Sequence, residues 1–551
     1  MSLQPQPLPA IPEETARVAR AAFPKGNLFI RMRDELGVFF SDEDFASLYP
    51  RCGHAAEAPW RLALITVMQF VENLSDRQAA EAVRARIDWK YALSLELVDA
   101  GFNHSVLSEF RDRLLKGSVE EQILDLMLKR FQTGGLLKGR GQQRSDSTHV
   151  VAAIREMTRV EFLGETLRYA LNTLAEIAPT WLQSVVPPEW YDRYGKRMED
   201  SRLPKKPEER DALAAEIGAD GFFLLDLIYA QATPVEWRKL PAIETLRQVW
   251  LQQYYAPTEV IQLRTAQDSA PGALRIRSPD DVEARRSAKY SRSWTGYKVH
   301  LSESCDEEMP RLITNVETTE ATTQDQSATP IIHASLEQKE LQPKQHIVDQ
   351  GYMSAQLILG SQEDYNIDLY KPVSTGSGWQ AQSKQGFDLT QFKVNWENQV
   401  AICPRGKLSK GWKNGQDSYG NPVIHVRFSS RDCTACRSRS QCTRSKRAPR
   451  ELSLKLPEEY AVLQQARERQ TTEAFKKQFA VRAGVEGTIS QAVRGFELRD
   501  CRYIGLVKTH LQHVATAAAM NVVRAINWLE GVPLAKARQS HFARLAPIKS
   551  G

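Results

Sequence analysis

No run in this sequence approaches the ~18 consecutive apolar residues that a membrane-spanning helix requires. Mean hydropathy is −0.44, so an integral membrane protein is not expected. Cysteine is scarce and odd in number, 7 in 551 residues, which argues against a disulfide scaffold. The opening Met1–Pro12 stretch is rich in proline and lacks a basic patch followed by an apolar segment. It does not read as a secretory signal, and the expected compartment is the cytoplasm. Neither sign of charge dominates: 73 Lys and Arg against 67 Asp and Glu leave +6. No repeat recurs at a fixed period.

What the chain has is length. At roughly 150 residues per domain, 551 residues suggest about three or four domains, enough to bury large cores without disulfides. The mild net charge hides local concentrations. From Arg285 to Lys298 the chain reads RRSAKYSRSWTGYK, with five basic residues and no acid. From Arg437 to Arg450 it reads RSRSQCTRSKRAPR, with six basic residues and no acid. Many charge runs are solvated surface. In the first run, however, Tyr290, Trp294 and Tyr297 interleave with Arg285, Arg286, Lys289, Arg292 and Lys298. Phosphates attract such cations and bases stack on such rings, so the mixture suits a nucleic-acid partner.

Residues 1–26 read as a flexible tail, and 27–133 as a helical domain. Pro59 opens one helix, and Ser75 with Gln78 forms a capping box for the next. The outer face of that second helix carries Arg77, Arg84 and Arg86. A third helix follows Asn103-His104-Ser105. Short helices with a basic face fit a helix-turn-helix-like DNA module; a plain helical bundle fits as well. Residues 134–530 alternate strand and helix as an α/β core. Strands are predicted at 144–154, 296–302, 311–318, 344–352 and 367–373, with helices at 330–339 and 354–361. Two insertions interrupt the core: 155–260, mostly helical with a charged linker near 199–210, and 374–455, β-rich with cysteines. Beyond Pro457 the chain reads as helix to Gly531, and 531–551 as a basic tail.

Two aspartates sit where such a core presents metal ligands: Asp146 in the first strand and Asp349 closing the fourth. Glu486 opens a later helix, with Ile489, Val493 and Phe496 spaced to pack on the sheet. Arg482 and Ser490 share the glutamate's face. Three converging carboxylates repel one another unless a cation lies between them, and hard oxygen ligands suit two Mg²⁺ or Mn²⁺ ions. Such a pair serves phosphodiester chemistry.

The stretches DSTHV (146–150), GYKVHL (296–301), HIVDQGY (346–352) and VEGTISQAVRGFELRDCRYIGLVKTHLQ (485–512) together resemble the DDE transposases of bacterial insertion sequences. LSDRQAAEAVRARIDWKYAL (74–93) and FNHSVLSEFRDRLL (102–115) are similar to that group's N-terminal domain. The likeness covers most of 28–530, in the family's order. It implies a ribonuclease H-like core with Asp146, Asp349 and Glu486 as the metal-holding triad. It also implies hydrolysis at the element's ends and attack of the 3′-hydroxyl on target DNA. Joining two ends calls for a homodimer or higher oligomer, nucleoid-associated when bound to DNA. In related transposases a tyrosine, arginine, glutamate and lysine surround the third acid. Here Phe479 holds the tyrosine place and Val493 the lysine place, beside Arg494. Arg482 and Arg494 are the expected phosphate contacts of that segment.

Other residues carry weaker expectations. Lys298 and His300 share one strand face and would touch DNA if it is the active-site face. His149 alternates away from Asp146 and reads as structural. Trp379 and Trp396 fit base stacking, as insertion-domain tryptophans do in related transposases, or ordinary burial. Cys52, Cys305 and Cys501 are isolated and read as buried fillers. Cys433 and Cys436 form a C-x₂-C step, flanked by Cys403 and Cys442. Four thiolates could close a tetrahedral Zn²⁺ site, the alternative being free thiols in a reducing compartment. Two other functions fit the basic surfaces: a transposase-derived DNA-binding regulator without catalysis, and a metal-dependent nuclease without strand transfer.

Overall fold

The computed structural model describes residues 1–255, 261–289, 291–373, 379–382 and 386–533. Tyr290 and residues 534–551 of the expected basic tail lie outside the described residues. The architecture is mixed α/β. A central sheet is built from β1 (Gln142–Val151), β2 (Arg285–Lys289), β3 (Arg292–Ser304), β4 (Ile313–Glu320), β5 (Gln345–Ile347) and β6 (Asp368–Tyr370). β3 lies antiparallel to β1 on one side and to β2 and β4 on the other. β5 runs parallel to β1, and β6 parallel to β5.

β1 is a polar strand in the middle of the molecule, which a buried position forbids unless each group finds a partner. The partners are present. Ser145 Oγ meets Ser302 Oγ at 2.5 Å and His346 Nε2 at 2.6 Å. The Gln143 amide donates to the Leu341 carbonyl at 2.8 Å and accepts from Thr314 Oγ1 at 2.7 Å. At Gly296 β3 passes so close to β1 that a Cβ would lie 2.3 Å from the Val150 carbonyl oxygen, and its φ of +151° suits glycine.

The register sorts the two faces. Directly opposed residues of an antiparallel pair point to the same side. Asp146 opposes Leu301 and Thr148 opposes Val299, whereas Ser147 opposes His300 and His149 opposes Lys298. The last helix, Leu506–Leu529, covers the Asp146 face, where His513 meets Thr318 at 2.8 Å. The helix Asp325–Gln338 covers the other face, through Ser335 to Asn315 at 2.7 Å and His333 to His346 at 2.8 Å.

The helical insertion builds its own core around Leu163, Leu167, Ile217, Leu246 and Trp250. Its expected charged linker is shorter than read, because Pro207 at the first helical turn starts the 23-residue helix Pro207–Tyr229. The second insertion holds a three-stranded antiparallel sheet, Ser409–Gln416, Pro422–Phe428 and Glu451–Leu454, with a small core of its own. The first of these strands, polar, and the third, only 4 residues long, escaped the sequence reading.

The N-terminal helices form as expected at Pro59–Val71, Asp76–Ala85 with its capping box, and Ser105–Lys116. The flexible tail over 1–26 is corrected. Glu13–Ala22 is a helix whose Thr15 hydroxyl donates to the Leu95 carbonyl at 2.8 Å, and Leu3 and Ala19 are buried. Among the described residues, no helix is long and apolar enough to cross a membrane.

Candidate active site

Parallel pairing of Arg144 with Ile347, carried two residues further, sets Asp349 beside Asp146. Asp349 lies beyond the strand rather than in it, which corrects the expected strand over 344–352. Its carboxylate caps the turn Gln350–Tyr352 by accepting from the Gln350 N–H, which bends the chain out of the ladder. Glu486 occupies the first turn of the helix Gly484–Gly495, with its side chain 66% exposed. Arg482 joins it to the strand: one guanidinium nitrogen lies 3.1 Å from Asp146 and the other 3.3 Å from Glu486.

Burial pushes the Asp146 carboxyl above its usual range. The Ser147 N–H at 2.8 Å and the Arg482 guanidinium pull it down, and the neighbouring Asp349 charge pushes it up. A cation between the two aspartates would relieve that repulsion, and their hard oxygens suit a divalent ion. Among the described residues, no three His, Cys, Asp or Glu side chains are arranged to hold a metal ion. Glu486 faces Arg482, and that guanidinium fills the space between two of the three acids. The donor chemistry therefore fits at Asp146 and Asp349, whereas Glu486 is paired with Arg482.

Lys371 escaped the sequence reading. Just after β6 it is buried, its Nζ 3.4 Å from the Gln350 carbonyl, its pKa lowered by burial and raised by Asp349. The available signal was a lysine closely following the apolar core of IDLYKPV, whose one acid is Asp368. Arg144 and Glu303 escaped as well. Arg144 Nε donates to Glu303 at 2.7 Å, and the two side chains are 1% and 0% exposed. Glu303 also accepts from Thr488 Oγ1 at 2.5 Å and from Arg524 at 2.8 Å. Arg144 reaches the Val481 carbonyl too. This buried network fixes the glutamate helix against β1 and β3.

The expected DNA contacts divide. Arg77, Arg286, Lys289, Arg292 and Arg494 are exposed. Arg84 is exposed yet bound to Glu81 at 3.1 Å and to the Ala100 carbonyl at 3.0 Å. Arg285 is turned inward, to the Ala273 and Val282 carbonyls and to Glu320 at 3.3 Å. Lys298 is held by Asp325 at 3.0 Å, and His300 is buried against Tyr352 at 2.7 Å. Both lie on the face opposite Asp146, so the condition for their contact with DNA there is not met. Phe479, in the tyrosine place, stacks on Phe475 at 6.1 Å, and Phe475 on Tyr370 at 4.4 Å. Trp396 packs between Trp412 and Tyr460, and Trp379 lies under Arg444.

Cys403, Cys433, Cys436 and Cys442 line one cavity of about 640 Å³. The Lys407 N–H points at Cys403 Sγ at 3.4 Å, in a turn completed by Gly406 at φ +75°. Burial, and then the neighbouring thiols, push the Cys442 thiol up to about 11. The four-sulfur chemistry fits zinc, though no three of these side chains form a metal-holding set. Of the isolated cysteines, Cys305 is buried and Cys501 half-buried; Cys52 is exposed, which corrects its reading as a filler.

Two family models match the chain. One, described as a transposase DDE domain, covers residues 402–526, and with them the four cysteines and Glu486. The other, described as a transposase domain (DUF772), covers residues 17–113. No curated protein and no solved structure matches the chain significantly.

Proposed function

We propose that this chain, a DDE transposase of an insertion sequence, hydrolyses a strand at each end of its element and joins the freed 3′-hydroxyl to target DNA. The observation that carries the reading is the meeting of Asp146, Asp349 and, through Arg482, Glu486 at one place on the sheet. The strand order β4–β3–β1–β5–β6, with only β3 antiparallel to its neighbours, supports a ribonuclease H-like core. Asp146 and Asp349 would hold two Mg²⁺ or Mn²⁺ ions, with Glu486 completing the shell. When bound, such ions activate the attacking oxygen and stabilise the leaving one.

The protein's own groups supply position. Arg482, once released from Asp146 and Glu486, is free to grip a DNA phosphate. The Arg144–Glu303 network keeps the glutamate helix in place while that exchange occurs. Two DNA ends require at least two such sites, hence a homodimer or higher oligomer working on nucleoid DNA. A zinc ion on the four cysteines would be structural, since a Cys₄ site leaves no position open for water.

The test combines both element ends, a target duplex and Mg²⁺ with the full chain. Wild type should give joined products. Asp146→Asn, Asp349→Asn and Glu486→Gln should each lose cleavage while end binding persists. Cleavage without joining, or binding without cleavage, by the wild-type protein would overturn the proposal in favour of a nuclease or a regulator.

A further inference from the structure

A second cavity, of about 430 Å³, adjoins β1 next to Asp146 and is lined largely from the opposite face of the sheet. It is lined by Ser147, Thr148 and His149 of β1, by Lys289 and Arg292 of the β2–β3 hairpin, and by Arg499. Its charge is lopsided. The one lining acid, Asp325, is occupied by Lys298 at 3.0 Å. Among the described residues, Lys289, Arg292 and Arg499 form no ion pair. Arg499 is nevertheless held in place, both its Nε and one terminal nitrogen donating to Thr148 Oγ1, at 3.0 and 2.8 Å. His149 stands against Trp294, ring centroids 5.2 Å apart. Burial lowers its pKa, and Arg499, Arg292 and Lys289 lower it further, so a neutral imidazole sits among cations.

Three cations without ion-pair partners around one concavity make it attractive to an anion. The size narrows the choice. A duplex cannot fit into ~430 Å³, whereas a single nucleotide unit can. We infer that this cavity takes one phosphate group of the DNA strand adjacent to the cut, on Lys289, Arg292 and Arg499. Position favours that strand, because the Ser147 N–H that begins the cavity also bonds the Asp146 carboxylate. The other border leads to the same place: a Cβ at Gly351, two residues after Asp349, would lie 3.0 Å from the Asp325 carboxylate. The phosphate is either an internal phosphodiester or a terminal 5′-phosphate. Arginines with a planar donor fork recognise both. The inference rests on the transposase reading and adds to it a site for the cut strand.

The experiment measures binding of a short single-stranded DNA, with and without a 5′-phosphate, to the metal-free full-length protein by fluorescence anisotropy. The cavity variants are Arg292→Gln/Arg499→Gln and, should losing the Arg499–Thr148 bonds impair folding, Lys289→Gln/Arg292→Gln. The charge-matched control is Lys205→Gln/Lys206→Gln, two exposed lysines of the helical insertion. Losing two charge-assisted contacts should weaken binding by about tenfold or more, at 1.4 kcal/mol per decade. Loss for both probes assigns an internal phosphodiester, and loss confined to the phosphorylated probe assigns a terminal phosphate. Affinities equal to the control's for both probes would overturn the cavity. That outcome would leave the function standing wherever joining of intact ends persists, whereas failure of joining in wild type would reject the function instead.

Discussion

Gly484 begins the helix that carries Glu486, and a Cβ there would lie 2.1 Å from a guanidinium nitrogen of Arg144. Arg144 cannot swing aside, because Glu303 and the Val481 carbonyl hold it. Gly484→Ala should therefore push the glutamate helix off the strand, at an overpacking cost of about 1–3 kcal/mol. Cleavage should fall far more than end binding, since Glu486 moves and the cations proposed to contact DNA do not. A wild-type melting temperature together with a wild-type cleavage rate would show that the helix position is not set by this contact. At this scale the sequence is unevenly legible. Asp146, Asp349 and Glu486 stood out as candidates because each lies in a stretch resembling a family motif. Arg144 and Lys371 did not. A cation in a polar strand looks like surface until its partner is known, and Glu303 lies 159 residues from Arg144. The same blindness applied to Arg285, read as a phosphate contact although its guanidinium caps loop carbonyls.

At the scale of elements, periodicity and capping chemistry located helices well. Pro59, the Ser75–Gln78 box and Pro457 each stand at a helix start, and Gly531, at φ +66°, follows the end of the last helix. Strands were less legible where a carboxylate cap cut one short, as at Asp349, or where basic residues hid a hairpin, as at β2–β3. The β-rich insertion has a small core: Phe392, Ala401, Ile424, Val426, Phe428, Leu452 and Leu454 form its buried apolar cluster. A module that small gains from a metal whose binding offsets the entropy of ordering the chain. Cys433→Ser and Cys436→Ser should each release about one zinc per chain and loosen residues 386–454 to protease, while cleavage of the rest of the chain is unchanged. The readout is elemental analysis with limited proteolysis. Wild-type protein purged of metal, refolded with zinc and still free of it would leave the four thiols unligated.

At the scale of the molecule, the N-terminal helices and the central sheet are not separate bodies, a relation that periodicity cannot reveal. The last helix packs against Pro59–Val71 and Gln122–Thr133 on one side and against β4 on the other. One apolar cluster runs from Leu3 and the N-terminal helices through the central sheet to Ile526 of the last helix, leaving the two insertions with cores of their own. Polar ties follow the same seam. The Arg502 guanidinium donates to the Leu74 carbonyl at 2.9 Å across 428 residues of sequence, and Lys339 binds Glu121 at 2.8 Å. Sequence reading divides a chain where composition shifts, whereas here the C-terminal helix closes the core of the N-terminal domain. Stability should follow the shared core rather than the sequence divisions. Met520 is fully buried in that helix, so Met520→Ala should cost about 2–5 kcal/mol. Hydrogen exchange should then quicken together in 59–71, in 122–133 and in β4, because a cooperative unit opens as a whole. Leu246→Ala, an equally buried truncation in the helical insertion, should quicken exchange within 159–253 and leave the N-terminal helices protected. If Met520→Ala loosened the sheet while 59–71 kept wild-type protection, the N-terminal helices would be an independent body. A DNA end gripped there would then be tied to Asp146 by a linker instead of by a common core.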